Sequence, residues 1–231
     1  MRALRIWAIA LVILAALLVA VDRVAVNIAE SQAEDRVQVP GARIGSTEVS
    51  IKGFPFLTQV AGSELDEVDV TITGIETRAA GRTLRISTMN AELRDVRLTD
   101  GFSGATAARA TGTAVISYED LTEAASDGVE VAYGGKGKVK VTGTVTVPLL
   151  GRPISRSVLS TVTLVDGHTV RVHADKVPGE GIPGLEKLIR GKTDFEREVG
   201  GLPNGLKLEG IQPTEDGLEI SVTGTDVRLA G

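Results

Sequence analysis

Any chemistry in this chain must come from a small stock of residues: thirty carboxylates, two histidines and no cysteine. His168 and His173 stand five apart on one predicted strand, so they point to opposite faces and cannot share a metal there. They read as solvated positions. Without cysteine there is no disulfide framework, thiolate zinc site or cysteine nucleophile. Gly179-Glu180-Gly181-Ile182-Pro183-Gly184 has the spacing G-x-G-x-x-G. However, it sits among antiparallel hairpins rather than in a βαβ unit, and Pro183 removes an N–H from the phosphate cradle, so it reads as a turn and helix start. Carboxylates cluster at Glu64, Asp66, Glu67 and Asp69, and at Glu119, Asp120 and Glu123. A glycosidase needs two of them facing each other across a cleft, which spacing along the chain does not supply. The serines lack a G-x-S-x-G elbow. No catalytic set, metal site or cofactor motif is found.

Charge adds one positive signal. Lys plus Arg is 25 against 30 for Asp plus Glu, a formal net charge of −5, and only seven residues are aromatic. A nucleic-acid binder would be basic, with stacking platforms, so nucleic acid is not an expected partner. Between Glu130 and Asp166, however, there is no acid, while Lys136, Lys138, Lys140, Arg152 and Arg156 are all basic. The three lysines share strand parity opposite to Val139 and Val141 and form a row on the outer face. Leu149 and Leu150 fall on a loop beside the arginines. This group is the candidate membrane contact, with apolar tips dipping into an anionic bilayer. The plainer alternative is a set of lysines guarding an edge strand.

The elements that would position such groups start with an N-terminal segment. Arg2 and Arg5 precede sixteen uninterrupted apolar residues, Ile6 to Val21, closed by Asp22 and Arg23. This is the pattern of an export signal, and large residues at both possible cleavage positions favour retention as an anchor over residues 1–21. Arg2 and Arg5 then lie in the cytoplasm, and residues 22–231 form one domain on the outer side of the cytoplasmic membrane, secreted if the segment is cleaved. Taking those two arginines from the 25 basic residues leaves 23 against 30 acids, a charge of −7.

Next, Val21, Val24, Ala25, Ile28 and Ala29 predict an amphipathic helix ending before Pro40, its apolar face laid on the domain. From Val37 the period becomes two: Val68, Val70 and Ile72; Leu84 and Ile86; Val139, Val141, Val145 and Val147. Asp166-Gly167 and Asp216-Gly217 mark tight hairpins, so the sheet is largely antiparallel. Ser117 caps a short helix through Leu121 and Glu123. A second helix lies between Ile182 and Val199, with Leu185, Leu188, Ile189, Phe195 and Val199 on its apolar stripe. The pattern Val/Ile-x-Val/Ile-Thr-Gly at residues 70–74, 139–143 and 220–224 reads as recurrence in a Val/Thr/Gly-rich chain or as repeated units.

The most distinctive stretch is Val49-Ser50-Ile51-Lys52-Gly53-Phe54-Pro55-Phe56-Leu57, in which Gly53 and Pro55 break a strand and force two phenylalanines into a compact corner. It resembles the Gly-Phe-Pro-Phe-Leu signature of the actinobacterial lipomannan elongation factor A-like family. Ile116 to Leu121, Leu202 to Leu206 and Asp216 to Ile220 resemble that family's strand-to-helix step and closing hairpin, so the likeness spans roughly residues 1–230. It implies an α+β fold in which a curved, largely antiparallel sheet wraps a long amphipathic helix, as in one half of the tubular lipid-binding proteins of the bactericidal/permeability-increasing type. It also implies a hydrophobic tunnel for acyl chains. Candidate lining residues are Phe54, Phe56, Leu57, Val68, Val70, Ile72, Leu121, Leu185, Leu188 and Ile189. The expected function is non-enzymatic: membrane-anchored binding of phospholipid or glycolipid, accessory to envelope-building enzymes. The alternatives are a scaffolding protein with a solid core, or an envelope glycosidase or glycosyltransferase.

Overall fold

The apolar run and the segment after it form one unbroken helix, α1 (Arg2–Arg36), in keeping with the absence of Gly and Pro from that stretch. It is long and apolar enough to cross a membrane or to serve as a signal sequence. The computed structural model describes residues 2–39, 41–79, 82–99, 101, 103–147, 152–177, 185–199, 202 and 204–230. After α1 come β1 (Ser46–Lys52), α2 (Phe56–Ala61), β2 (Glu64–Ala79), β3 (Arg82–Thr99), β4 (Gly104–Ile116), α3 (Tyr118–Ala124), β5 (Val129–Gly135), β6 (Lys138–Val147), β7 (Arg152–Val165), β8 (Thr169–Ala174), α4 (Leu185–Thr193), β9 (Phe195–Glu198), β10 (Leu206–Pro213) and β11 (Leu218–Ala230). The fold is α+β. The strands make a six-stranded sheet, β1-β2-β3-β4-β11-β10, and a five-stranded sheet, β5-β6-β7-β8-β9. All pairings between them are antiparallel.

The face that α1 turns to the domain differs from the one its apolar periodicity predicts. Val21, Val24 and Ile28 are exposed, whereas Asp22 and Val26 are buried and Ala25, Ala29, Ala33, Glu30 and Glu34 are partly buried. Asp22, Val26, Glu30 and Glu34 recur every four residues and therefore form one stripe. Val26 enters a core with Val49, Phe56, Leu65, Val68, Leu93 and Val96, and the alanines pack beside it. The acids bond to backbone that nothing else satisfies. Glu30 Oε1 accepts from the N–H of Ile51 at 2.7 Å, and Glu34 Oε1 from that of Val49 at 3.1 Å. Strand β1 is an edge, so its outward N–H groups would otherwise invite another chain.

Four strands of the large sheet share a line where strict alternation fails. Asp95 and Asp226 have left-handed φ values of 52° and 51°. The register sets them on either side of Ala108, with Asp66 next in line on β2. Residues three apart across this line, Leu65 and Val68, Leu93 and Val96, Ala107 and Ala110, are buried in the same core. A left-handed residue inserts half a pleat, so the apolar side stays on one face while the strand bends, and aspartate tolerates that conformation better than most residues.

A second core joins the small sheet to the large one: Val129, Val139, Val141, Val158, Val162, Val172 and Ile189 pack with Leu218. Helix α3 bridges the sheets. The Ser117 hydroxyl accepts from the Asp120 N–H at 3.1 Å and donates to its carboxylate at 2.6 Å. Tyr118 stacks on Tyr133 of β5 and donates at 2.7 Å to the Thr214 carbonyl in the β10–β11 turn. Its burial, reinforced by Tyr133, pushes the phenol up to about 12. Both Asp-Gly hairpins form, the first with left-handed φ at Asp166 and Gly167.

Two sequence expectations are corrected here. The helix expected to run on to Val199 ends at Thr193, and Phe195–Glu198 forms edge strand β9, paired with β8. Asp194 closes the helix by taking the Ala174 N–H at 3.0 Å, which turns the chain back into the sheet. The lysines do not guard an edge, because β6 is an interior strand. Lys136 lies in the β5–β6 turn with φ 54°, and Lys138 pairs with Asp175.

Replacing Glu30 and Glu34 by Ala is expected to cost about 1–3 kcal/mol per lost bond and to accelerate amide exchange at Val49 and Ile51, whereas Gln at both positions retains the acceptors. Exchange mass spectrometry of peptides covering β1 checks this; unchanged protection would count against the clamp. A second expectation concerns acid. Bonds from Lys138 and Thr161 hold the Asp175 carboxyl below its usual range, against the opposing effect of burial. Its contribution to stability is complete above the ordinary carboxylate range and is lost as pH falls through the lowered value. Lys138→Met therefore lowers Tm near neutrality, and the gap to wild type narrows as pH falls below the ordinary carboxylate range.

Candidate functional site

The apolar face of the large sheet is formed by cross-strand rows fixed by register. Val68, Leu93, Ala110, Gly224 and Leu206 make one row; Val70, Ala91, Gly112, Val222 and Leu208 the next; Ile72, Met89, Ala114, Ile220 and Ile211 the third. The first row belongs largely to the core beneath α1, and Ile211 packs against the core shared with the small sheet. Between the two, Met89, Ala91, Gly112, Ala114, Ile220 and Val222 belong to neither core and are all half-buried. Their middle is small: alanine or glycine fills three of the six positions. A Cβ built on Gly112 would stand 3.1 Å from Val222 Cγ2, so glycine keeps the floor of this seam low. The result is an apolar seam between two filled cores.

Sequence reasoning named none of these six as site residues. Alanine and glycine carry little hydrophobic signal, and the left-handed aspartates interrupt the alternation that would have grouped them. The residues it did name are distributed. Phe56, Val68 and Val70 belong to the core under α1, Ile72 is buried on β2, and Leu121 and Ile189 belong to the core of the small sheet. Leu185 and Leu188 lie on α4. Phe54 and Leu57 are the exceptions, 58% and 41% exposed at the start of α2. There the Phe54–Pro55 peptide is cis, and Gly53, at φ 94°, takes the turn where a Cβ would strike Gln59 and Asp66. Pro55, the residue before α2, offers that helix no side-chain cap. Asp22 of α1 supplies it, its Oδ1 accepting from Leu57 N–H at 2.9 Å, and Arg23 lies 5.0 Å over the Phe54 ring.

The candidate membrane contact is divided by the fold. Lys140 is directly opposite Leu159 and both are exposed on the outer face, but Arg156 shares the parity of buried Val158 and lies on the other face. Arg152 opens β7, and Leu149 and Leu150 fall outside the described residues. The histidines are apart: His173 meets Asp194 at 2.9 Å, and His168 contacts the Asp166 carbonyl in its turn. No group of three or more potential metal ligands occurs among the described residues. The polar face of the large sheet sets Asp69 opposite Glu92, each already engaged by a cation, Lys52 and Arg94 respectively.

No curated protein and no solved structure matches the chain. The profile of the LmeA-like phospholipid-binding family matches residues 20–223, from the end of the apolar run through the Gly53–Leu57 corner and into β11. The chain belongs to the LmeA-like phospholipid-binding family.

Proposed function

We propose that the chain is a non-enzymatic phospholipid-holding protein, tethered to the cytoplasmic membrane by α1 with its domain on the outer side, and that an acyl chain lies in the seam on the large sheet. The single observation behind this reading is the half-buried strip of Met89, Ala91, Gly112, Ala114, Ile220 and Val222, parts of two adjacent rows, between two filled cores. From β3 to β11 the seam crosses two strand spacings, about 10 Å at ~4.8 Å each. An acyl chain in one leaflet fills about 15 Å, half of the ~30 Å hydrocarbon thickness. The seam therefore takes about two-thirds of such a chain lying across the strands. Each methylene taken from water contributes about 0.8 kcal/mol, so a half-buried surface of this length holds lipid without any charged group.

Family membership supports phospholipid as the ligand. The resemblance noted in the sequence extends the proposal to a glycolipid ligand and to an accessory role beside envelope-building enzymes. A tethered holder of this kind presents lipid to an enzyme rather than transforming it.

Native mass spectrometry of the full chain released from mild detergent tests the site. Near-stoichiometric phospholipid is expected on the wild type. Ala91→Phe combined with Ala114→Phe should reduce it at least several-fold with little change in Tm, while Thr111→Phe, on the opposite face, leaves it unchanged. Full lipid content in the double variant would overturn the seam as the site. A lipid-free wild type would favour a scaffolding role.

A further inference from the structure

The uninterrupted apolar run of α1 is slightly shorter than the hydrocarbon layer it would cross. Sixteen residues from Ile6 to Val21 rise about 24 Å at 1.5 Å each, against ~30 Å of hydrocarbon. The next residues are Asp22 and Arg23, which would ordinarily fix the boundary at once. In this fold Asp22 is withdrawn into the domain, and Arg23, half-exposed, is paired with it. Asp22 is 2% exposed, its carboxylate bonded to Leu57 N–H and to Arg23, and the Arg23 guanidinium lies over Phe54. Beyond them, Val24 and Ile28 remain exposed on the outer side of α1, 58% and 53% respectively. From Ile6 to Ile28 the helix rises about 34 Å.

We propose that Phe54 and Leu57 of the α2 corner, together with Val24 and Ile28 of α1, form an apolar collar seated in the interfacial layer of the bilayer that holds α1. This proposal rests on the anchor reading above. Continuity carries it: Leu57 N is 2.9 Å from Asp22, the residue that follows the apolar run, so the corner lies at the level where α1 leaves the hydrocarbon. The collar supplies the missing length, and it explains why two large apolar side chains face outward beside the helix. Arg23 is paired with Asp22 and Lys52 with Asp69, and Asp66 beside Gly53 adds a negative charge, so apolar insertion rather than attraction to anionic lipid does the seating. Asn27, exposed beside Ile28, begins the headgroup level. In this pose the sheet stands on the membrane at the end nearest the core beneath α1, which gives lipid a short path to the seam.

The chain has no cysteine and one tryptophan, Trp7, so two independent depth readings are available. The full chain is reconstituted into vesicles of phosphatidylcholine with phosphatidylglycerol. Spin labels on Phe54→Cys and Leu57→Cys are compared with one on Glu215→Cys in the β10–β11 turn. The expected result is a several-fold higher ratio of oxygen to nickel-chelate accessibility at 54 and 57 than at 215, corresponding to about 5–10 Å below the phosphates. Trp7 fluorescence, quenched by brominated acyl chains, reports the anchor separately. Aqueous labels at 54 and 57 with Trp7 quenched would overturn the collar and leave the anchor standing. An unquenched Trp7 would overturn the anchor and, with it, the collar. If labelling abolishes the native thermal transition, Leu57→Trp in a Trp7→Phe background reads the same depth by quenching, and absence of quenching there overturns the collar.

Discussion

The four-residue stripe of α1, Asp22, Val26, Glu30 and Glu34, is the constraint on which the arrangement depends. It joins a helix that is apolar all round in its first half to a sheet edge that must not stay bare. Val26 contributes burial, and the three carboxylates contribute bonds to N–H groups of α2 and β1. Charge-assisted bonds of this kind are about twice as strong as neutral ones. They also set direction, because carboxylates at four-residue spacing meet β1 and α2 in one register only. The helix therefore meets the domain at a fixed attitude instead of hanging from it by a linker.

From that fixed edge, the large sheet is shaped by its left-handed aspartates. The bend at Asp95 and Asp226 lets the core under α1 close tightly at one end, while Leu218 and Ile211 meet the small sheet at the other. Two cores separated along a single apolar face leave a strip between them. Small residues on that strip keep it from filling itself. The seam thus follows from where the two cores end, rather than from any residue specialised for lipid.

Much of the fold is legible in the sequence where local chemistry decides it. Asp166-Gly167 adopts the positive φ pair a tight hairpin needs, and Ser117 with Asp120 builds its own helix start. Gly53-Phe54-Pro55-Phe56-Leu57 marks the corner on which the resemblance to the family rests. Elsewhere the outcome is set by distant partners. Counting apolar residues puts Val21, Val24 and Ile28 against the domain, yet backbone N–H groups draw the acidic stripe inward instead. Period-two reading fails at Asp95 and Asp226 because a left-handed residue shifts parity without changing composition. Phe195 continues a helical stripe by spacing, but Asp194 has already taken the Ala174 N–H and turned the chain. The basic stretch looked like one patch only because parity between β6 and β7 is invisible until their register is known. The seam escaped notice for a related reason: Ala91, Gly112 and Ala114 come from two strands, and each alone is unremarkable.

Whether lipid occupies that seam is open to direct chemical mapping. The full chain, equilibrated with phosphatidylethanolamine carrying a diazirine in its acyl chain, is irradiated and digested, and adducts are located by peptide mass spectrometry. Adducts on Met89, Ala91, Ala114 and Ile220 are expected. Adducts confined to α1 and to the polar face around Thr111 and Thr113 would contradict a lipid held between the two cores.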